Sequence, residues 1–312
     1  MELIRGLHNL RDRHQGCVAT IGTFDGVHTG HHAVLAQVKE KALALGLPSV
    51  VITFEPQPKE FFAQDKAPPR LTRFNEKMRL LMAADVDRVL CLTFNKRLRN
   101  MSADQFVKTI LVDGLGIKHF VVGDDFRFGC DRRGDYTMLQ GAGAQYGFSV
   151  VNTVTRVLNG QRVSSTRTRA LLQANQLDEA AALLGRPYSV TSCVVHGQKL
   201  GRQLGVPTAN LRIGRYPCPL VGVYAVDVTM PDGSYEPGVC NVGVRPTVNG
   251  LVPSLEVHLL AVAGSPNLYG QKLTVTFSKF LRAEQRFDGL DALKEQIFKD
   301  IEQARDFFGL SA

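Results

Sequence analysis

Three short apolar segments in the first half of the chain predict buried strands. Residues 47–54, 87–94 and 118–123 are rich in Val, Ile and Phe, and nearly every position in them is apolar. Strands covered by helices on both faces show this pattern, whereas strands with one solvated face alternate between apolar and polar residues. Because helical periodicity separates the three segments, the first half predicts a parallel sheet of the β-α-β type with helices on both sides.

Two helices can be placed within this half. From Val34 to Leu45 the apolar positions recur every three or four residues, and Gly46 supplies a stop. This pattern predicts a helix that begins directly after the segment ending near Gly30. A second helix is predicted over residues 102–111.

The pattern changes after a helical segment at residues 171–184 that ends at Gly185. Downstream, apolar and polar residues alternate in four segments separated by Gly, Pro and Asn turns such as Pro231-Asp-Gly and Val248-Asn-Gly. These segments are 190–195, 222–230, 254–260 and 272–280. They predict an antiparallel β-barrel.

The last predicted element is a C-terminal helix. It keeps one apolar face from Leu290 to Phe308, with Asp288 as its N-cap. The predicted fold class is therefore α/β plus β: an N-terminal Rossmann-like domain over 1–185, and a β-barrel domain closed by a helix over 186–312.

Composition and charge restrict the kind of protein. The chain has 312 residues, 44% of them hydrophobic, and its apolar runs are too short to span a membrane. Residues 1–13 contain no secretory apolar segment, so we expect a cytoplasmic protein. The net charge of +8 favours anionic partners but does not separate nucleotides from nucleic acid. The six cysteines form no C-x-x-C pair and are expected to be free thiols.

The first motif that indicates chemistry is TIGTFDGVHTGH at residues 20–31. It lies between a predicted strand and a predicted helix, where backbone N–H groups and the helix dipole can hold a phosphate. His28 and His31 are three residues apart, so both rings can face one phosphate group. The alternative, two histidines that only cap the helix, stays open. A metal site lacks a suitably spaced third ligand.

The second motif is RVSSTRTR at residues 162–169, which combines four hydroxyl residues with three arginines and has no acidic residue. Such a segment can bind triphosphate oxygens and balance charge on a leaving group. It can equally be a solvated basic turn. The predicted phosphate-binding residues here are Arg162, Ser164, Ser165, Thr166 and Arg169.

Two motifs in the second half carry further candidates. GQKLGRQLGVPTAN at 197–210 is a glycine-punctuated loop, although not a Walker A motif, and in an extended segment Thr208 and Asn210 face the same way and can hold Mg²⁺ with ATP phosphates. In LEVHL at 255–259, Glu256 and His258 lie on the face opposite the apolar residues. A surface hairpin and a solvated carboxylate are the simpler alternatives.

Together these motifs resemble the prokaryotic bifunctional riboflavin kinase/FMN adenylyltransferases, also called FAD synthetases. The resemblance runs nearly end to end and includes FEPQP at 54–58, VVGDDFRFG at 121–129 and CNVGVRPTVN at 240–249. It implies a nucleotidyltransferase-type N-terminal domain that makes FAD and pyrophosphate from FMN and ATP. It also implies a C-terminal riboflavin kinase barrel that makes FMN and ADP from riboflavin and ATP.

The resemblance also assigns roles to residues. It implies that His28 and His31 steady the α-phosphate of ATP and that Glu256 is the general base of the kinase. Asp125 and Arg127 are expected on the adenine and flavin side of the first site. The other residues expected to bind nucleotide or flavin are Gly22, Phe24, Asp25, Gly26, Gly30, Gly201, Arg202, Gly205, Pro207, Asn241, Arg245 and Arg282.

Two residues depart from the family pattern. Gln57 stands where the family often has His, so a titrating role there is in doubt, and Cys130 follows Phe-Gly where a basic or small residue is more usual. Arg282 also has a simpler interpretation, as part of an exposed loop before the last helix.

The implied small molecules are ATP, riboflavin, FMN and FAD, with Mg²⁺ bound to ATP. Neither nucleic acid nor membrane is an expected partner, flavin-accepting apoproteins are candidate partners, and the oligomeric state stays open. One rival is a riboflavin kinase whose first domain is degenerate or transfers a different nucleotide. Another is a basic RNA-binding or flavin-sensing protein without turnover, although arginines interleaved with exposed aromatic residues are not evident.

Overall fold

A computed structural model describes residues 1–153, 155–197, 201, 204–213, 218–247, 250–261 and 267–310, without the side chains of 244–247 and 250–252. The chain forms two compact units. The first contains Met1–Pro68 and Thr72–Ser165, and the second contains Pro69–Leu71 and the residues from Thr166 onward. No helix in these described ranges has the length and apolarity needed to cross a membrane.

The first unit is built on a six-stranded sheet in which every neighbouring pair is parallel. In spatial order its strands are β1 (Glu2–Arg5), β4 (Arg88–Leu92), β3 (Ser49–Phe54), β2 (Cys17–Ile21), β5 (Ile117–Gly123) and β6 (Ser149–Thr153). Its α-helices are α1 (Thr29–Leu45), α2 (Pro58–Ala63), α3 (Phe74–Ala83), α4 (Lys96–Arg99), α5 (Ala103–Phe106) and α6 (Tyr136–Tyr146). A short hairpin of β7 (Val157–Leu158) and β8 (Gln161–Arg162) follows the sheet.

Both faces of the central strands are buried, as the sequence predicts. Ile52 and Leu90 belong to one hydrophobic cluster, whereas their neighbours Val51 and Val89 belong to another on the opposite face. The predicted helix after the glycine motif is α1, and it ends where Gly46 adopts a left-handed conformation. The helix predicted over 102–111 is α5 continued by a π-helical turn at Val107–Val112.

The second unit is a closed antiparallel barrel with helices. Its strands, in order around the barrel, are β10 (Ala209–Leu211), β13 (Gly250–Leu259), β12 (Tyr235–Thr247), β11 (Gly222–Thr229), β14 (Lys272–Arg282) and β9 (Ser189–Val195). Its helices are α8 (Leu177–Leu184), α9 (Leu290–Phe308) and, apart from its first residue, α7 (Ser165–Gln173). The predicted barrel and closing helix are confirmed.

Three details differ from the predictions or extend them. The N-cap of α9 is Gly289 rather than Asp288, and α9 packs on the barrel around the buried Ala304. The predicted turn at 231–233 joins β11 to β12, whereas the one at 248–250 falls on residues outside the described ranges. Helices α7 and α8 contribute to the barrel core, and the compact units divide after Ser165, so a boundary at 185/186 stays a prediction.

Candidate functional site

The chain reverses sharply between β2 and α1. Phe24 and Val27 have φ angles of 48° and 39°, and Gly26 has 84°, so three residues of the turn lie in the left-handed region. Such strain persists only where the surroundings hold it, and it clusters at functional sites. Here the Gly26 N–H donates to Thr72 Oγ1 at 3.0 Å, and the Phe24 side chain is buried.

The two histidines of this turn stack on each other. The ring centroids of His28 and His31 are 3.6 Å apart and the ring planes differ by 13°. Each Nδ1 accepts the other residue's backbone N–H, at 3.2 Å for His28 Nδ1 and 3.3 Å for His31 Nδ1. A nitrogen that accepts carries no hydrogen, so in both neutral rings Nε2 bears the proton and is a donor. The pair therefore caps α1 through its two Nδ1 atoms, and in both rings the hydrogen is on Nε2.

His31 is held in its neutral form. Burial lowers its pKa well below the usual 6.5, and the nearby His28, His32 and Lys77 lower it further. A neutral ring can donate a hydrogen bond from Nε2 without the cost of a buried charge. The Phe24 ring lies beside it, with centroids 4.9 Å apart.

The glycines of the motif allow close packing. A Cβ on Gly30 would lie 3.1 Å from His28 Nδ1, and a Cβ on Gly22 would lie 3.1 Å from the Phe24 ring. Either contact is tighter than ordinary van der Waals packing. These two glycines therefore let the aromatic rings of the turn reach their positions.

Asp25 has a structural role in the turn. Its side chain is 1% exposed, and Oδ1 accepts hydrogen bonds from Thr72 N at 3.0 Å and from Thr72 Oγ1 at 3.3 Å. The carboxylate thus fixes the turn to the segment before α3. Thr72 was not singled out from the sequence, because a lone threonine gives no local signal.

The structure brings the second phosphate motif to the first. Ser165 Oγ donates to the Asp25 carbonyl at 2.8 Å, and the Val163 carbonyl lies 3.6 Å from the Cβ position of Gly30. Ser164, partly exposed, precedes Ser165 at the start of α7. The hydroxyl segment and the histidine turn therefore lie side by side in the first unit, although 140 residues separate Asp25 from Ser165.

Three charged candidates of the first unit, Arg162, Asp125 and Arg127, form ion pairs at the surface. Arg162 Nη2 lies 3.0 Å from Asp125 Oδ2, and Arg127 Nη1 lies 2.9 Å from an oxygen of Asp135. Asp124 also lies 3.5 Å from Arg162 Nη2. All of these side chains are more than one third exposed. Such pairs contribute only about 0–1 kcal/mol, so a ligand could displace them at little cost.

The last two candidates of this motif fall in the second unit. Thr166 is exposed, whereas Arg169 is 8% exposed and its Nε donates to the Pro69 carbonyl at 2.6 Å. At least the Nε–H of Arg169 is therefore hydrogen-bonded to the protein backbone rather than facing solvent.

Sequence reasoning missed a buried lysine behind the turn. Lys77 on α3 is 0% exposed, and its Nζ donates to the Thr23 carbonyl at 3.0 Å and to Thr53 Oγ1 at 3.3 Å. Thr23 belongs to the glycine turn, and Thr53 lies near the end of β3. Its burial could have been suggested only by the helical spacing of residues in α3. That spacing places residue 77 on the buried face together with Met78 and Leu81.

The two departures from the family pattern have different surroundings. Gln57 is 5% exposed at the N-cap of α2, and its Nε2 has no hydrogen-bond partner among the described residues. Cys130 is partly exposed, and its N–H donates to the Met101 carbonyl.

In the second unit, a cavity of about 320 Å³ lies between the outer face of the barrel and α9. Five predicted residues line it: Gly201, Thr208, Asn241, Glu256 and Arg282. Residues that were not predicted as ligands, His258, Glu284 and Asp300, line it as well. Apolar side chains of α9, among them Ile297 and Ile301, form its opposite wall.

Strand register places three polar residues in one row. Asn210 on β10 is directly opposite Glu256 on β13, and Glu256 is directly opposite Asn241 on β12. Paired residues of adjacent antiparallel strands project on the same face, about 4.5–5.5 Å apart at Cβ. Because Leu255 and Val257 are buried in the barrel core, Glu256 faces outward into the cavity. The row therefore presents amide and carboxylate groups side by side.

The glycine loop before β10 packs on this row. A Cβ on Gly197 would lie 2.5 Å from the Asn210 side chain, and a Cβ on Gly201 would lie 2.4 Å from the Val206 carbonyl and 3.3 Å from Thr208. Gly205 has a φ of 82°, in the left-handed region, so the loop depends on glycine at all three positions. Arg202 lies outside the described residues, as does the Arg245 side chain.

Arg282 is anchored rather than part of an exposed loop. Its Nε and Nη2 each lie 2.8 Å from an oxygen of Asp300, a bidentate pair between β14 and α9. Asp300 is 3% exposed and also accepts from Gln296 Nε2 at 2.9 Å. Two parallel charge-assisted hydrogen bonds fix the guanidinium plane at the cavity wall.

Comparison with known protein families gives two matches. A model described as FAD synthetase matches residues 10–167, and one described as riboflavin kinase matches residues 184–308. The first match covers the unit with the histidine turn, and the second covers the barrel.

Full-length relatives agree with both matches. A Pseudomonas fluorescens protein named bifunctional riboflavin kinase/FMN adenylyltransferase is 55% identical over 100% of this chain and 99% of its own length. The Escherichia coli K12 protein of the same name is 50% identical over the same shares. A crystal structure named macrolide-efflux protein from Streptococcus pneumoniae superposes with a TM-score of 0.82 at 28% identity, covering 98% of this chain and 99% of that one.

Proposed function

The chain belongs to the bifunctional riboflavin kinase/FMN adenylyltransferase family, and from that premise we propose which side chains carry each of its two reactions. The protein phosphorylates riboflavin with ATP to give FMN and ADP, and it adenylylates FMN with ATP to give FAD and pyrophosphate. The kinase belongs to the C-terminal half and the adenylyltransferase to the N-terminal half.

In the adenylyltransferase, a phosphate oxygen of FMN attacks the α-phosphorus of ATP, and the bond from that phosphorus to the bridging α–β oxygen breaks. No proton has to be removed from an ionised phosphate, so positioning and charge stabilisation are the main needs. His28 and His31 meet them by donating from Nε2 to oxygens of the α-phosphate. The observation that carries this assignment is the acceptance of backbone N–H groups by both Nδ1 atoms.

The leaving pyrophosphate is assigned to the hydroxyl segment. Ser164 and Ser165 stand next to the histidine turn, and the start of α7 adds backbone N–H groups that favour an anion. Gly22, Phe24, Gly26 and Gly30 shape the turn against the nucleotide, while Asp25 holds it in place. The flavin-side roles of Asp125, Arg127 and Arg162 and the phosphate roles of Thr166 and Arg169 stay predictions.

In the kinase, the ribityl 5′-hydroxyl oxygen attacks the γ-phosphorus of ATP and the bond to the bridging β–γ oxygen breaks. The hydroxyl must lose its proton, and Glu256 is the proposed acceptor. Its carboxylate lines the cavity between Asn210 and Asn241 in the strand row. We assign the flavin side of this cavity to Arg282 and propose that Asn241 and the Gly201–Gly205–Pro207 loop bind nucleotide or flavin.

Thr208 and Asn210 are the proposed Mg²⁺ ligands. The donors gathered here are a hydroxyl, side-chain amides and a carboxylate, and hard oxygen donors of this kind suit Mg²⁺ shared with ATP phosphates. Thr208 and Asn210 would hold the ion, which supplies positive charge to the phosphate oxygens. Arg202 and Arg245 stay predictions as nucleotide ligands.

Time-resolved chromatography of flavins tests both assignments in one protein. Glu256→Gln should slow FMN formation from riboflavin about 10²–10⁴-fold and leave FAD formation from supplied FMN unchanged. Glu236→Gln, a carboxylate on neighbouring β12 outside the residues that line the cavity, is the matched control. Normal FMN formation by Glu256→Gln would refute the assignment of the base.

The reciprocal experiment changes the histidines. His28→Ala and His31→Ala should each slow FAD formation about 10²-fold or more and spare FMN formation. His8→Ala, an exposed histidine of the same unit, is the control. If FAD forms at the wild-type rate in either histidine variant, that residue does not act on the transferred phosphate.

We further propose that the enzyme works in the cytoplasm on small-molecule substrates, with flavin-accepting apoproteins as further candidate partners. The basic charge then serves nucleotide and flavin phosphates rather than nucleic acid. A gel-shift titration with generic RNA at rising salt should show no complex, and a salt-dependent shift would instead favour the RNA-binding alternative.

A further inference from the structure

His258 lies on β13 two residues after Glu256 and borders the same cavity. Its ring is half-buried, and Nδ1 lies 2.8 Å from the Pro207 carbonyl oxygen. A carbonyl oxygen only accepts, so Nδ1 carries the hydrogen and donates it. The side chain of His258 thus joins β13 to the segment that leads into β10.

The segment at 206–208 gains no support from the strand ladder. Pairing of β10 with β13 begins at Ala209 opposite Val257, so Pro207 and Thr208 precede the first ladder pair. The Val206 N–H donates to the Gly201 carbonyl at 2.7 Å. The His258 bond holds the next carbonyl along this segment, that of Pro207, directly before Thr208.

From this geometry we infer that His258 is a positioning residue for riboflavin phosphorylation, which holds the Pro207 carbonyl so that Thr208 stays at the wall of the cavity that Glu256 also lines. The inference rests on the proposed roles of Thr208 and Glu256. His258 acts through the backbone of Pro207, so its effect falls on the nucleotide and its metal ion rather than on riboflavin.

The bond to Pro207 does not require a particular charge on the ring. Burial lowers the pKa of His258, the bond to Pro207 opposes that shift, and Arg305 on α9 adds to it. Nδ1 donates in either protonation state, so the bond to Pro207 persists over the working pH range.

Two variants of similar polarity separate the bond from other effects of the ring. His258→Asn keeps an N–H donor close to the position of Nδ1, because the amide branches from the same Cγ. His258→Gln carries its amide nitrogen near the position of Nε2 and loses the bond. We expect His258→Gln to lower kcat/KM for MgATP in riboflavin phosphorylation about tenfold, and His258→Asn to restore most of it.

Two further measurements distinguish positioning from general damage. Riboflavin affinity, followed by quenching of its fluorescence without ATP, should stay within about twofold of wild type in both variants, while the KM for MgATP rises in His258→Gln. FAD formation from supplied FMN reports on the integrity of the chain. Ser192→Ala is the control. It removes a 2.5 Å hydrogen bond from Ser192 Oγ to the carbonyl of Arg212, the residue directly after β10, and should leave the kinase reaction unchanged.

The outcomes distinguish this inference from the proposed roles of Thr208 and Glu256, on which it rests. If Glu256→Gln abolishes FMN formation but His258→Gln retains full kcat/KM for MgATP, the positioning role is wrong and the site assignment stands. Equal losses in His258→Asn and His258→Gln also overturn it, because the donor at the Nδ1 position then does not matter. If Glu256→Gln keeps the kinase active, the site assignment itself fails.

Discussion

The buried lysine behind the histidine turn leads to a sharp prediction. Lys77 Nζ donates to the Thr23 carbonyl and to Thr53 Oγ1, and so connects α3 to the turn and to the end of β3. Its substitution by methionine keeps the length and most of the volume of the side chain but removes the donor. We expect Lys77→Met to leave the sheet intact and to loosen the Thr23 end of the turn that carries His28 and His31.

The magnitude follows from the contacts. A hydrogen bond to a charged group contributes about 1.5–3 kcal/mol. The Thr23 carbonyl retains a second donor in Lys77→Met, because Thr53 Oγ1 lies 3.4 Å from it. The loss should therefore fall at the lower end, about 1.5 kcal/mol, which corresponds to about a tenfold decrease in kcat/KM for ATP in FAD formation.

The assay uses the two reactions of one purified protein. FAD formation from supplied FMN is compared with FMN formation from riboflavin, and the second rate should not change. Lys39→Met is the control, since Lys39 is a partly exposed lysine of α1 whose Nζ lies 2.6 Å from Oδ2 of the exposed Asp85. If Lys77→Met forms FAD at the rate of Lys39→Met, or if both reactions slow equally, the buried ammonium does not position the turn.

Three further predictions address stability and reactivity. Burial lowers the pKa of His31 below the 6.5 of the unfolded chain, so its contribution to stability is complete above pH 6.5. This contribution declines as the pH falls below 6.5, by at most about 1.4 kcal/mol per pH unit. The urea midpoints of wild type and His31→Gln, measured between pH 7.5 and 5, should therefore converge toward acid pH. Asp300→Ala removes the carboxylate that holds the Arg282 guanidinium and should destabilise the second unit by about 1.5–3 kcal/mol, seen as a lower urea midpoint. An unchanged midpoint would contradict a structural role for the pair. Burial raises the pKa of Cys17 to about 12, so iodoacetamide at pH 8 should modify this thiol only in urea, and mass spectrometry of the native protein should find it unmodified.

The parts of the fold that follow a strong local pattern were predictable. Continuous apolar runs indicated strands buried on both faces, and the structure places Val51 and Ile52 in clusters on opposite sides of the sheet. Alternation in the second half indicated a barrel with one inward face, and Leu255 and Val257 occupy that face. In both cases the period of the apolar residues reports directly on how many faces a strand buries.

Strand register could not be predicted from those patterns. The pairing of Asn210 with Glu256 and of Glu256 with Asn241 depends on how three strands slide against one another. A shift of two residues would preserve every inward and outward direction, so the alternation leaves these alternatives equal. The same holds for His258, whose partner is a carbonyl 51 residues away.

Charged side chains were the least predictable part of the sites. The sequence predicts that Arg162 binds phosphate and that Asp125 lines the first site, but it does not predict their ion pair across 37 residues. Arg282 and Asp300 lie on different elements, and only the packing of α9 on the barrel brings them together. Long-range pairing decides which charges stay available, and no local pattern encodes it.

The two proposed sites differ in the way their nucleophiles require. The phosphate of FMN is already an anion, and the turn around His28 and His31 offers donors while the carboxylate of Asp25 is taken up by Thr72. The hydroxyl of riboflavin must give up a proton, and the barrel places Glu256 at the cavity wall between two amide side chains. A donor-rich turn has no base for a hydroxyl, and a carboxylate would repel an attacking phosphate. One nucleophile must lose a proton and the other need not, and this difference is a physical reason for two separate sites on one chain.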